Sequence, residues 1–218
     1  MDELKELDFA EINDHFYTRI EVHQRIKDLF QKLEDFEDKK YFTEFILGLH
    51  DVHANYSANS PHLHVGGETI IKGNLISVYD RVIALVHCLL NSETDELRDV
   101  LFRRNPLFGL GISIGSEIAC MLKPDTFWVT NIRTVYTEAY LRTGSIELAN
   151  ELIGLYRGGR QSEIDYNIWV KLHPFVGEKL RELITHIETT YIPKEQKQYP
   201  YLYVDCIASS LFDTFSDE

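Results

Sequence analysis

The chain has 218 residues, 44% of them hydrophobic and 12% aromatic, enough to bury one sizeable core without disulfide or metal staples. Its formal charge of −13, with an isoelectric point of about 5.1, repels phosphate backbones. No basic cluster with interleaved aromatics offsets that charge, so direct nucleic-acid binding is set aside. No apolar run approaches the ~20 residues of a membrane span, and the opening Met-Asp-Glu-Leu-Lys-Glu is acidic where a secretory leader is basic. Cys88, Cys120 and Cys206 are odd in number, far apart and set in apolar helical patterns, which points to a reducing cytoplasm rather than a disulfide framework.

In chain order, Asp8 and Glu11 have capping-box character, and Phe9, Ile12, Phe16, Ile20, Ile26, Leu29, Leu33 and Phe36 recur at helical spacing. The charge run at 34–40 is expected to end this first helix. A second helix follows with Tyr41, Phe42, Phe45, Ile46 and Leu49 on its apolar side. Residues 55–67, rich in Asn, Ser, Pro and Gly, read as an exposed loop. Within and beyond it, residues 63–71, broken by Gly66 and Gly67, are the best candidate for a small β-hairpin.

Four of the nine histidines fall between positions 50 and 64. His50 and His53 lie one helical turn apart, and His62 and His64 follow at H-x-H spacing. Imidazoles so placed can share a transition-metal ion, with the loop folding back to complete a tetrahedral shell. A solvated polar loop is the plainer reading, because no cysteine ligand and no H-E-x-x-H signature accompany them. The expectation is therefore no cofactor, with a transition metal as the minority alternative.

Residues 73–142 form the unit around which the chain is organised. Leu75, Val78, Val82, Val86 and Leu89 make one apolar stripe, reinforced by Ile76, Tyr79, Ile83, Leu85 and Leu90, so this helix should be largely buried. A short charged helix over 93–104 leads to the Pro106 turn. The next helix carries Gly111, Gly115 and Ala119 four apart on one side, with Ser113, Ser116, Glu117 and Cys120 expected on the other. Interior glycines cost about 0.5–1 kcal/mol each relative to alanine, and close helix packing is the compensation expected here. A phosphate cradle is disfavoured, because the strand and the Lys-Ser/Thr of a P-loop are missing. Pro124 and Asp125 should open another helix, with Trp128, Ile132, Val135, Tyr136 and Ala139 buried.

Beyond Gly144, Ser145 is a good N-cap for a helix through Tyr156, stopped by Gly158 and Gly159. A short helix over 164–172 and a longer one over 174–191 follow. Residues 193–200 read as a polar connector, and 201–215 as a closing helix or a short extended piece. The fold expected is all-α, a single compact bundle of roughly seven to ten helices. Residues 1–72 make an N-terminal helical region with the histidine loop, and 73–218 a helical core, together one continuous globular unit.

Residues 73–142 also resemble a known family. The apolar helix over 75–90, the short helix ending Val100-Leu101-Phe102, the turn Asn105-Pro106-Leu107, the small-residue helix and then Leu122-Lys123-Pro124-Asp125 with a further amphipathic helix are similar to the mannitol-operon repressor (MtlR-like) family. That resemblance implies an all-helical protein without a recognisable DNA-binding motif, implicated in transcriptional regulation through partners. The basic residue of the family pattern on the small-residue helix is replaced by Ser113, Ile114 and Ser116. A second likeness is enzymatic. Helical ribonucleases of the HEPN class place an Arg and a His four to six residues apart, as Arg81 with His87 and Arg181 with His186 stand here. The Arg would hold the scissile phosphate and the His would move the proton, without metal. Chance supplies about as many such pairs in a chain of this composition.

The reading reached from sequence is a non-catalytic, acidic regulatory protein that binds another protein, in transcriptional regulation, in the cytoplasm. Its partner classes are a second protein or another copy of the chain, with no membrane. The alternatives are a HEPN-like ribonuclease and an acidic inhibitor that covers a partner's nucleic-acid-binding surface.

Overall fold

The computed structural model describes residues 2–49, 61–74, 77–157, 176–177 and 179–216. Among them every regular element is helical, as the sequence predicts. A 3-10 turn, Asp2–Glu6, precedes α1 (Phe9–Gln31) and α2 (Phe36–Ile46). Then come α3 (Pro61–Asn74), α4 (Val78–Leu90) and the short α5 (Leu97–Asp99), which runs into a π-helical turn, Val100–Arg104. Next are α6 (Ile112–Leu122), α7 (Ile132–Thr143) and α8 (Ile146–Arg157). After a helical stretch over 179–183 and the 3-10 turns Ile184–His186 and Lys194–Lys197, α9 (Pro200–Phe215) closes the described chain.

The boundaries follow capping chemistry. Asp8 accepts from the Ala10 and Glu11 amides at the start of α1, as the leading Asp predicts. The first helix stops at Gln31 rather than in the charge run, because Asp35 and Asp38 form a reciprocal capping box that starts α2 inside that run. Asn131 likewise accepts from the Arg133 and Thr134 amides. This cap starts α7 at Ile132 and leaves 124–131 irregular, where a helix opening at Pro124 was expected. Gly144 closes α7 with φ 69°, the left-handed conformation that glycine adopts without penalty.

Residues 63–71 are not a hairpin. They belong to α3, and the glycines that suggested a turn are points of close approach: a Cβ on Gly66 would strike Ile114 of α6, and one on Gly67 would strike the Leu47 carbonyl after α2. The loop expected at 55–67 is therefore helical from Pro61, while 55–60 lie outside the described residues. The helix expected over 164–172 also lies outside them. The segment over 201–215 resolves to helix, whereas the helix foreseen through residue 191 gives way at Ile184 to a 3-10 turn and then to turns.

Helix α6 lies at the centre, against α1, α4, α5 and α9. Its expected polar side is buried as well, including Ser116, Glu117 and Cys120, as befits a helix enclosed on all sides. The small-residue stripe is only partly a packing device. Gly115 has Leu101 Cδ1 2.5 Å from where a Cβ would stand, but Gly111 is the N-cap and has nothing within 4 Å. Gly109 serves the turn before it, at φ 83°. Around this centre α7 packs on α8 and α9, α1 on α9, and α2 on α4. The buried tyrosines of α7 and α9 keep their hydroxyls paired: Tyr136 donates to the Phe215 carbonyl (3.2 Å), Tyr140 to Glu3 (2.6 Å) and Tyr203 to the Tyr191 carbonyl (3.4 Å).

Candidate functional site

The residues singled out from sequence are placed as follows. His50 and His53 lie outside the described residues, and His62 and His64 fall on α3 rather than in a loop. Arg81 is a clamp. Its guanidinium donates to Asn74 Oδ1 at 2.9 Å and to the Pro106 carbonyl, while Asn74 donates to and accepts from the Phe108 backbone at 3.0 Å each. His87, on an exposed part of α4, meets the Phe30 ring edge-on at 4.9 Å between centroids. Arg181 donates to the Tyr201 hydroxyl and lies over that ring, 5.5 Å from its centroid. His186 is exposed at the end of a 3-10 turn. In both pairs the arginine bonds to groups other than its histidine.

The structure brings together a different set. Arg19 of α1 donates to Asp205 of α9 at 2.6 Å and to the Leu202 carbonyl at 3.4 Å. Arg19 is 8% exposed and Asp205 3%. The second carboxylate oxygen of Asp205 has no hydrogen-bond partner among the described residues. Glu117, 7% exposed on α6, adjoins this pair. Its other neighbours come from α7: Asn131, which caps the helix with its oxygen and turns its amide to Glu117, and Arg133, which reaches outward to Asp213 at 3.4 Å. Cys120 and Cys206 complete the seam, both buried.

Burial dominates the proton chemistry of this seam. Desolvation, then the Asp205 charge, raises Glu117 to about 8, against smaller opposing effects of Arg19, Asn131 and Arg133. Asp205 is also raised by burial, with Arg19 opposing. The Cys206 thiol is pushed up to about 12 and that of Cys120 well above its ordinary value, so both are held as inert thiols rather than nucleophiles. Beside this seam, His23 of α1 is 4% exposed, 2.6 Å from the Met121 carbonyl and edge-on to Tyr199. Burial lowers its basicity, so it is held neutral and donates through Nδ1.

Sequence reasoning missed this cluster. Its signal was nonetheless present, as lone ionisable residues inside apolar runs: Glu117 within Ile-Gly-Ser-Glu-Ile-Ala, and Asp205 within Tyr-Leu-Tyr-Val-Asp-Cys-Ile-Ala. Lone acids in such runs are buried only when paired. A cleft of about 430 Å³ opens elsewhere, between Lys5, Asp8, Phe9 and Asn13 on one side and Thr190 and Tyr191 on the other. None of the seam's ionisable groups lines it. Among the described residues no group of three or more His, Cys, Asp or Glu is arranged to hold a metal ion. No protein-family model matches the chain, and no curated protein or solved structure does.

Proposed function

We propose that this chain is a non-catalytic regulatory protein that acts by binding another protein, in transcriptional regulation as its resemblance to the mannitol-operon repressor family implies. One observation carries the reading: Glu117, Asp205, Cys120 and Cys206, whose proton affinities burial raises, are sealed between helices and lie apart from the cleft beside α1. A catalytic acid, base or nucleophile must reach a substrate. The arginines of both Arg/His pairs also have intramolecular duties already, which further favours binding over ribonuclease chemistry.

The charge of −13 favours a second reading about the partner, in which the acidic surface covers a basic, nucleic-acid-binding face. Affinity capture from the native host, followed by reconstitution with the purified partner, tests both. A stoichiometric complex is expected, and competition with nucleic acid for that partner identifies the second reading. Turnover of RNA by the purified chain, lost in both Arg81→Ala and Arg181→Ala, would overturn the proposal in favour of an enzyme.

A further inference from the structure

The buried seam between α1, α6, α7 and α9 contains two carboxyl groups and one directly paired cation. Arg19 is spent on Asp205 at 2.6 Å, and Arg133 extends toward exposed Asp213. Placing two anions in a dry space against one guanidinium is far costlier than leaving one acid protonated. Glu117 is the member left to carry the proton, because Asp205 holds the guanidinium. From α1 the group facing Glu117 is Arg19, from α7 Asn131 and Arg133, from α9 Asp205, and on α6 itself Cys120. Among the described residues three further neighbours of α6 bring apolar groups: Val78, Val82, Leu85, Val86 and Leu89 on α4, Leu97 on α5 with Val100 and Leu101 after it, and α3 where Gly66 meets Ile114.

We propose that the Arg19–Glu117–Asp205 cluster is a proton-held latch that keeps α9 docked while Glu117 is neutral and loosens it when Glu117 ionises. Helix α9 is the part that yields. It carries Asp205, so its loosening separates the two acids; the polar ties at its far end are the exposed Arg133–Asp213 pair at 3.4 Å and hydrogen bonds to the Phe215 carbonyl from Tyr136 at 3.2 Å and Asn150 at 3.3 Å, while Leu211 and Phe212 are buried there. The sign follows from linkage. With α9 docked, burial and then the Asp205 charge raise Glu117 from its ordinary 4.5 to about 8, and undocking that admits water and removes Asp205 returns it toward 4.5. The stabilisation of the docked state is therefore complete below the undocked value, declines as pH rises between the two, and is gone above the docked one.

Hydrogen exchange of the full chain, corrected for intrinsic rates, tests this at about pH 6.5 and about pH 8. The linkage expects local opening of α9 to rise about tenfold between them, with α7 and α8 less affected. In Glu117→Gln, which keeps the shape and cannot ionise, that rise should vanish. Glu117→Met serves as a second neutral variant if the amide does not fold. The infrared band of a protonated carboxyl at neutral pH, lost in either variant, reads the proton directly. An unchanged α9 in the parent chain, the same rise in both variants, or no protonated-carboxyl band would overturn the latch.

Discussion

Arg19 and Asp205 illustrate how much a single buried charge depends on its partner. Together they are paired at 2.6 Å, but removing the carboxylate strands a guanidinium that is 8% exposed. Breaking a buried pair from one side costs about 3–5 kcal/mol, so Asp205→Ala should lower the unfolding free energy from urea denaturation by that amount or leave the chain unfolded. Replacing both partners with apolar residues, as in Arg19→Met with Asp205→Leu, should recover most of the loss. A double variant as unstable as the single one would mean that the pair does more than balance charge. His23 adds a dependence of opposite sign to that of Glu117. Its folded-state basicity is lowered by burial, so its contribution is present above the unfolded value of about 6.5 and is lost as pH falls through the folded one. Between neutral and mildly acid pH the melting temperature of His23→Gln should therefore gain on that of the parent chain, because both keep the Glu117 contribution and only the parent loses that of His23. Neither behaviour was legible in the sequence, where Arg19 and Asp205 are separated by most of the chain and only tertiary packing of α1 on α9 makes them neighbours.

At the scale of elements, glycine position rather than glycine count decides the effect of substitution. Gly115 on α6 has Leu101 Cδ1 at 2.5 Å and Cδ2 at 2.8 Å from an added Cβ, and Leu101 is itself buried. Gly115→Leu should therefore destabilise through overpacking by about 1–3 kcal/mol or more. Gly154 on α8 is exposed and would meet nothing within 4 Å. Gly154→Ala should stabilise by about 0.5–1 kcal/mol, because the substitution reduces the freedom of the unfolded chain and costs no contact. Urea midpoints for the two variants, moving in opposite directions, check both. The same physics explains which elements could be read in advance. The long apolar periodicity of α1 and its cap at Asp8 are local signals, and they placed the start of that helix. The Gly66–Gly67 pair is locally ambiguous between a turn and a close approach. Only the position of Ile114 and Leu47, far away in sequence, decides for α3.

For the molecule as a whole, the sequence pattern carried the all-helical architecture, because amphipathic period is written along the chain. The buried seam was not carried in that way, since charges from α1, α6, α7 and α9 meet only once the helices pack. Net charge acts at this largest scale. With 35 acidic against 22 basic side chains, self-repulsion opposes the compact state. Raising ionic strength from about 0.01 M to about 0.15 M shortens the screening length from about 30 Å to about 8 Å, which relieves that repulsion. The same salt weakens exposed ion pairs such as Lys39–Asp80 at 2.7 Å and Arg104–Asp99 at 2.6 Å. Exposed pairs are worth only about 0–1 kcal/mol each, whereas the excess of acids acts over the whole surface, so the repulsive effect should win. The melting temperature should therefore rise with added sodium chloride at constant pH, and rise less in variants in which exposed acids outside the ion pairs, such as Glu37 and Asp28, are made neutral. A melting temperature that falls with salt would reverse the ranking and make the surface ion pairs, rather than the charge excess, the dominant electrostatic influence on this fold.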